Sequence, residues 1–216
     1  MQVDLAPSPN FNDRKFPVDM LVLHYTGMDS GDAALARMRD PASEVSAHYM
    51  VWEDGRITQL VGEDKRAWHA GVSTWQGDDD LNSRSIGVEI VNGGHDVPLA
   101  DGTLPPYPDA QIDAVIALCH SIFVCHTIPA SRVVAHSDIA PARKTDPGEH
   151  FPWARLAAAG IGLWPAAGPE NHGDEILLPG DTSETVRHAQ SSLRTIGYGL
   201  EATGIYDDAT RLTVTA

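Results

Sequence analysis

The sequence predicts an α/β fold: a mixed central β-sheet flanked by helices, followed by a small, incomplete helical module. Three observations predict it. Apolar, β-branched patterns at 18–25 ("VDMLVLHY"), 85–91 ("SIGVEIV") and 131–138 ("SRVVAHSD") alternate with helical patterns, as in a sheet covered by helices. One helical pattern, "DAQIDAVIALCHSIFVCHTI" at 109–128, is long and fairly apolar on its reverse face too. Near Pro165 the chain turns to Pro, Gly and polar residues with weak periodicity, which marks a linker with a second unit beyond it.

The elements follow in order. "VDMLVLHY" reads as a mostly buried strand ending at His24 and Tyr25. "GDAALARMRD" (31–40) has helical composition and is stopped by Pro41. "VSAHYMVWEDGRITQLV" (45–61) reads as two strands around a turn at Asp54-Gly55. "SIGVEIV" is the next strand, and the Gly-, Pro- and Asp-rich stretch 92–108 is a long loop of the kind that is often functional. In the 109–128 helix, Ile112, Val115, Ile116, Cys119, Ile122 and Phe123 recur at helical spacing. "SRVVAHSD" is a short strand ending at His136, and "FPWARLAAAGI" (151–161) a helix with Pro152 near its start and Gly160 just past its end.

Three segments result: a domain over 1–165, a linker over 166–180 and a module over 181–216. In the module, "SETVRHAQSSLRTIGYG" is a helix with Val186, Ala189, Leu193 and Ile196 inward and Gly197 as its C-terminal cap. Asp207 N-caps the next helix. A unit of about 40 residues is marginal alone, so one more helix is expected beyond the end of this sequence.

The bulk properties exclude several functions. A net charge of −15 leaves too little Lys and Arg to neutralise phosphates, which argues against nucleic acid and anionic membrane surfaces. No apolar run approaches membrane-span length. Residues 1–15 lack the basic segment and apolar stretch of a secretory signal. The cytoplasm is therefore expected, or the periplasm if a leader has been removed. Cys119 and Cys125 lie on one helix with Cα atoms about 9 Å apart, too far for a disulfide; they read as buried small apolar residues.

The chemistry-bearing residues cluster around "RKTDPG". Neutral imidazoles and carboxylates suit zinc, and a catalytic site keeps three protein ligands with a fourth position open. No HExxH is present, so ligands must come from separate elements. His24 and His136 end strands and Asp146 follows in a loop, where ligands gather in open α/β sheets; ten histidines, however, allow many trios. Glu89 sits inside an apolar strand, on the face opposite Ile86, Val88 and Ile90. A carboxylate there is unfavourable unless paired or functional, and a desolvated one has the raised pKa of a general base. Lys144, two residues before Asp146, is either a solvated loop lysine or points into the same cavity, where it would stabilise a developing oxyanion.

"LVLHYTG", "SAHYMVWEDGRITQLV", "DKRAWHAGVSTWQG", "LNSRSIGVEIVN" and "VVAHSDIAPARKTDPG" occur in this order. Together, over about 16–165, they resemble the zinc-dependent N-acetylmuramoyl-L-alanine amidases of the amidase-2 (AmpD-like) family. The resemblance implies one zinc ion held by His24, His136 and Asp146, with Glu89 as catalytic acid–base and Lys144 assisting at the oxyanion. Asp146 stands where the related peptidoglycan-recognition proteins have cysteine. It also implies hydrolysis of the amide between N-acetylmuramic acid, in its 1,6-anhydro form, and the L-alanine of the stem peptide. Muropeptides or peptidoglycan are then the partners. Trp68, His69 and Ala70 are expected to line the substrate groove, with core packing the alternative for Trp68, and Asn82 to orient the stem peptide. The tail ("VRHAQSSLRTIGYG", "TGIYDDAT") resembles a peptidoglycan-binding helical module and is incomplete. Two rivals stand beside this: action on the intact wall, and non-catalytic recognition of peptidoglycan. Of the other histidines, His48, His120 and His126 are expected to be structural; His95, His150, His172 and His188 are expected at the surface.

Overall fold

The structure is a computed structural model that describes residues 2–165 and 176–216. The linker expected over 166–180 falls outside the described residues over 166–175, as does His172. The elements are β1 (Asp4–Leu5), β2 (Phe11–Asp13), β3 (Met20–Tyr25), α1 (Gly31–Arg39), β4 (Tyr49–Val51), β5 (Ile57–Gln59), β6 (Lys65–Ala67), α2 (Leu81–Arg84), β7 (Ser85–Ile90), α3 (Asp109–Cys125), β8 (Val133–Ala135), α4 (His136–Ile139), α5 (Trp153–Ala158), α6 (Glu184–Ile196) and α7 (Asp208–Thr215). Six strands form one mixed sheet in the order β1-β5-β4-β7-β3-β8, and β2 pairs with β6 apart from it. The expected mixed α/β architecture is what forms. The hairpin is present, with β4 antiparallel to β5, while β3 runs parallel to both β7 and β8.

Alternation along the central strands sorts the two faces. Leu21, Leu23, Ile86, Val88 and Ile90 pack against Ile112, Val115, Leu118, Cys119 and Ile122 of α3 and Leu156 of α5. These aliphatic groups are almost completely removed from water, and burial of each stabilises the fold by about 1.5–3 kcal/mol. The opposite face carries Met20, Val22 and His24 on β3, in register with Ser85, Gly87 and Glu89 on β7. Its apolar part packs on Ala70, Trp75, Leu81 and Ile139. Polar groups thus collect at the C-terminal end of one face, beside a core that fixes the strands carrying them.

Three expectations need correction. Cys125, the last residue of α3, is exposed although Cys119 is buried. Ile196 of α6 is 55% exposed while Val186 is buried. Each is the last residue of its helix, so periodicity placed it on the apolar stripe without showing that the packing stops short of the helix end. His136 does not end β8; it is the first residue of the single turn α4, whose start is capped by Asp138 through the Ala135 N–H at 2.8 Å. The expected caps of the last two helices do form: Gly197 closes α6, and Asp207 accepts from Thr210 N. The tail touches the sheet region through Tyr198, which donates to Asp138 Oδ1 at 2.5 Å and meets Trp75 edge to face, and through Gln76 N donating to Gly197 O.

Candidate metal centre and active site

One strand, one helix start and one loop build the centre. β3 delivers His24, the start of α4 delivers His136, and the loop after α4 returns Asp146 beside them, held by Ser137 N donating to Asp146 O at 3.0 Å. His24 Nδ1 and His136 Nδ1 lie 2.9 Å apart, and each is 3.0 Å from Asp146 Oδ2. All three residues are buried, at 1%, 4% and 6% exposure. This is the group of described residues that can hold a metal ion. The fit is chemical as well as geometric. Two imidazole nitrogens and one carboxylate oxygen form a zinc-type donor set, and zinc bonds of about 2 Å place tetrahedral ligands a little over 3 Å apart.

The electrostatics prepare these groups for a cation. Burial drives His24 down to about 4, with the neighbouring His136 adding to the effect, so its ring is neutral near pH 7. Burial pushes the Asp146 carboxyl up, but its closeness to the His136 and His24 rings outweighs this and holds it below the usual carboxylate range. Around the trio opens a cleft of about 420 Å³, lined among others by Trp68, Glu89, Lys144 and, from α1, Arg37 and Met38.

Glu89 stands opposite His24 on the adjacent parallel strand. Its Oε2 is buried without a hydrogen-bond partner. Burial raises its pKa well above the ordinary value, Asp146 adds to the rise and Lys144 opposes it. Lys144 lines the same cleft. Its backbone is set by Lys144 N donating to Ala140 O at 3.1 Å, and its ammonium has no ion pair among the described residues.

The remaining expected residues divide. Trp68 lines the cleft and donates from Nε1 to Asn12 Oδ1 at 2.9 Å. His69 touches the cleft, but its ring nitrogens are engaged by His24 Nε2 at 3.0 Å and Ser85 Oγ at 3.1 Å. Ala70 and Asn82 are 0% and 5% exposed and sit behind the trio: Asn82 Oδ1 accepts from His69 N and Ala70 N. Sequence reasoning missed Ser85 and Arg143. Arg143 clamps the 70–72 segment by donating to Ala70 O and Val72 O. The one available signal for Ser85 was its alternation with Gly87 and Glu89 on one strand face.

Residues 14–149 match the family model described as N-acetylmuramoyl-L-alanine amidase. The chain belongs to that family, a class of amide hydrolases acting on peptidoglycan. Among its relatives is the N-acetylmuramoyl-L-alanine amidase AmiD of Escherichia coli, 45% identical over 157 residues, covering 69% of this chain and 56% of that protein. The 1,6-anhydro-N-acetylmuramyl-L-alanine amidase AmpD of Escherichia coli is 37% identical over 172 residues, covering 70% of this chain and 88% of that protein. The solved complex of E. coli AmiD with anhydro-N-acetylmuramic acid-L-Ala-D-gamma-Glu-L-Lys superposes with a TM-score of 0.70 at 33% identity, over 98% of this chain and 86% of that one. The present chain thus spans little more than half the length of AmiD and most of AmpD. No helix among the described residues is long and apolar enough to cross a membrane.

Proposed function

We propose that this chain hydrolyses the amide between N-acetylmuramic acid, in its 1,6-anhydro form, and the L-alanine that begins the stem peptide. The observation that carries the reading is the convergence of His24, His136 and Asp146, with the unpaired Glu89 carboxyl facing the same cleft. His24 Nδ1, His136 Nδ1 and Asp146 Oδ2 would hold zinc, which when bound lowers the pKa of water and polarises a carbonyl. Glu89 accepts the proton of the attacking water and returns it to the departing L-alanine amine, so one water is consumed and one acid and one amine leave. Its raised pKa suits both duties near neutral pH. The Lys144 ammonium stabilises the charge that develops on the scissile carbonyl oxygen. Trp68 offers an apolar wall to sugar or peptide. His69, Ala70 and Asn82 serve the substrate indirectly, by holding the wall of the cleft and the metal ligands.

The named substrate of AmpD and the ligand bound to AmiD support the anhydro form. Residues 1–165 are proposed as the catalytic domain, 166–180 as linker and 181–216 as a peptidoglycan-binding-like module. The resemblance of 181–216 to such a module supports a second reading, action on the intact sacculus. The two unpaired cysteines favour a reducing compartment, hence the cytoplasm. Incubating the enzyme with defined anhydro-muropeptides and with intact sacculi, with and without chelator, and weighing the products by mass spectrometry tests all of this. Chelator-sensitive release of the free stem peptide from the soluble substrate is expected. Release from sacculi alone would move the function to the wall, and no release from either would leave only recognition.

A further inference from the structure

An imidazole ligates a metal only through a nitrogen that carries no proton, so each ring of the trio must keep its proton on Nε2. Donor and acceptor counting from a fixed end shows what enforces this. The Leu81 carbonyl can only accept. Ser85 Oγ lies 2.6 Å from it and commits its single proton there. The same oxygen, 3.1 Å from His69 Nε2, must therefore accept from that ring. His69 then carries its proton on Nε2 and presents a bare Nδ1. His24 Nε2, 3.0 Å away, donates to it. What remains on His24 is an unprotonated Nδ1, aimed at His136 Nδ1 and Asp146 Oδ2.

His136 meets a second fixed end. Its Nε2 lies 3.3 Å from the Ala70 carbonyl, which also can only accept, so its Nδ1 is bare as well. That carbonyl also accepts from Arg143 Nη2 at 2.8 Å, and its residue is anchored by Ala70 N donating to Asn82 Oδ1 at 2.8 Å. The rings of this relay are buried, so bulk water does not compete for these bonds. Room for it exists because residue 87 is glycine: a Cβ there would collide with the His69 ring.

We propose that Ser85 and His69 are positioning residues for the metal centre, forming a one-way hydrogen-bond relay from the Leu81 carbonyl that fixes the Nε2–H tautomer of His24, while the Ala70 carbonyl fixes that of His136. The proposal rests on the metal reading above and adds to it the device that keeps both ligand nitrogens free. Outer partners of this kind typically change metal affinity about 10–100-fold.

Two measurements test it. In metal-free wild-type protein, imidazole nitrogen shifts from NMR report each tautomer; His24, His69 and His136 are all expected as Nε2–H. In Ser85→Ala, with folding checked by circular dichroism, His24 is expected as a tautomer mixture, and zinc affinity, titrated against a chromophoric chelator, is expected to fall about 10–100-fold. Ser85→Thr, which keeps the hydroxyl, is expected to retain the wild-type affinity. A merely structural Ser85 would lower the melting temperature without moving the tautomers. His24 found as Nδ1–H in the wild type, or a folded Ser85→Ala with unchanged affinity and tautomer, overturns the proposal. Should Ser85→Ala not fold, the wild-type tautomers decide alone. Wild-type protein that takes up no zinc would remove the metal reading instead, and the relay would still be decided by the metal-free spectra.

Discussion

Replacing Glu89 by Gln isolates one proton-carrying atom. Gln has the same shape, so the strand packing of β7 and its pairing with β3 are kept. The residue is not part of the metal trio, so zinc uptake should stay within error of wild type. What disappears is the capacity of the buried, unpaired Oε2 to take and return a proton. Positioned general acid–base groups contribute about 10²–10⁴ in rate, so kcat should fall by that factor, or about 3–5 kcal/mol of barrier. Stability should move the other way. The Glu89 carboxyl is held above its ordinary 4.5 by burial first and Asp146 second. A carboxyl raised on folding binds its proton more tightly in the native state. Its contribution is therefore full below the ordinary value and is lost as pH rises through the folded one, at up to about 1.4 kcal/mol per pH unit. In metal-free protein near pH 8, the Gln variant should consequently melt above the wild type. Turnover by mass spectrometry, zinc by elemental analysis and calorimetric melting are the three readouts. A variant that keeps near-normal turnover, or that loses its zinc, refutes the assignment of Glu89 as an acid–base group distinct from the ligands.

Lys144→Met should lower kcat about 100-fold or more with little change in KM, as expected for a group acting on transition-state charge; steady-state kinetics on a defined muropeptide checks it. His24→Ala should abolish stoichiometric zinc and turnover together, and added zinc should not restore either, whereas chelator-stripped wild type should recover with zinc. His48 is held at about 3, by burial first and Arg14 second, and accepts from Gly87 N through Nδ1. A histidine depressed on folding loses stability as pH falls below its ordinary value of 6.5 toward 3. His48→Gln should flatten the melting temperature between pH 6.5 and pH 4 relative to wild type. Tyr198→Phe deletes the hydrogen bond to Asp138 Oδ1 and should cost about 1–3 kcal/mol, read by denaturant melts, because the buried acceptor is left unsatisfied.

The parts of the fold visible in the sequence were those whose burial imposes a period. β3, β7 and α3 are long, and their apolar residues repeat at the spacing of their faces. β1, β2 and β6 are two or three residues long and mostly exposed or polar, so no period exists to read. His24, His136 and Asp146 were legible only because several ordered motifs resemble one family; their spacing alone, 112 and 10 residues apart in the chain, selects no trio. Glu89 was legible from physics, as a carboxyl on a strand with apolar neighbours. The shell behind the ligands was not, because Ala70 acts through its backbone N–H and C=O, which every residue type carries, and the Asn82 side-chain Oδ1 meets only backbone N–H groups.

β3 and β7 are direct neighbours in parallel register, with His24 across from Glu89. The spacing between the backbones that carry the candidate metal ligand and the carboxyl is thus the rung of a ladder, about 4.8 Å in any sheet, and is set by main-chain bonds that no side-chain change at the rim can stretch. Variation in the loop over 92–108, which lends Asp96 to the cleft, or in α1, which lends Arg37 and Met38, can reshape what enters while this rung stays the same length. Under the proposed function, ligand choice and bond-breaking geometry are therefore separable traits, one written in the borders of the protein and the other in its weave.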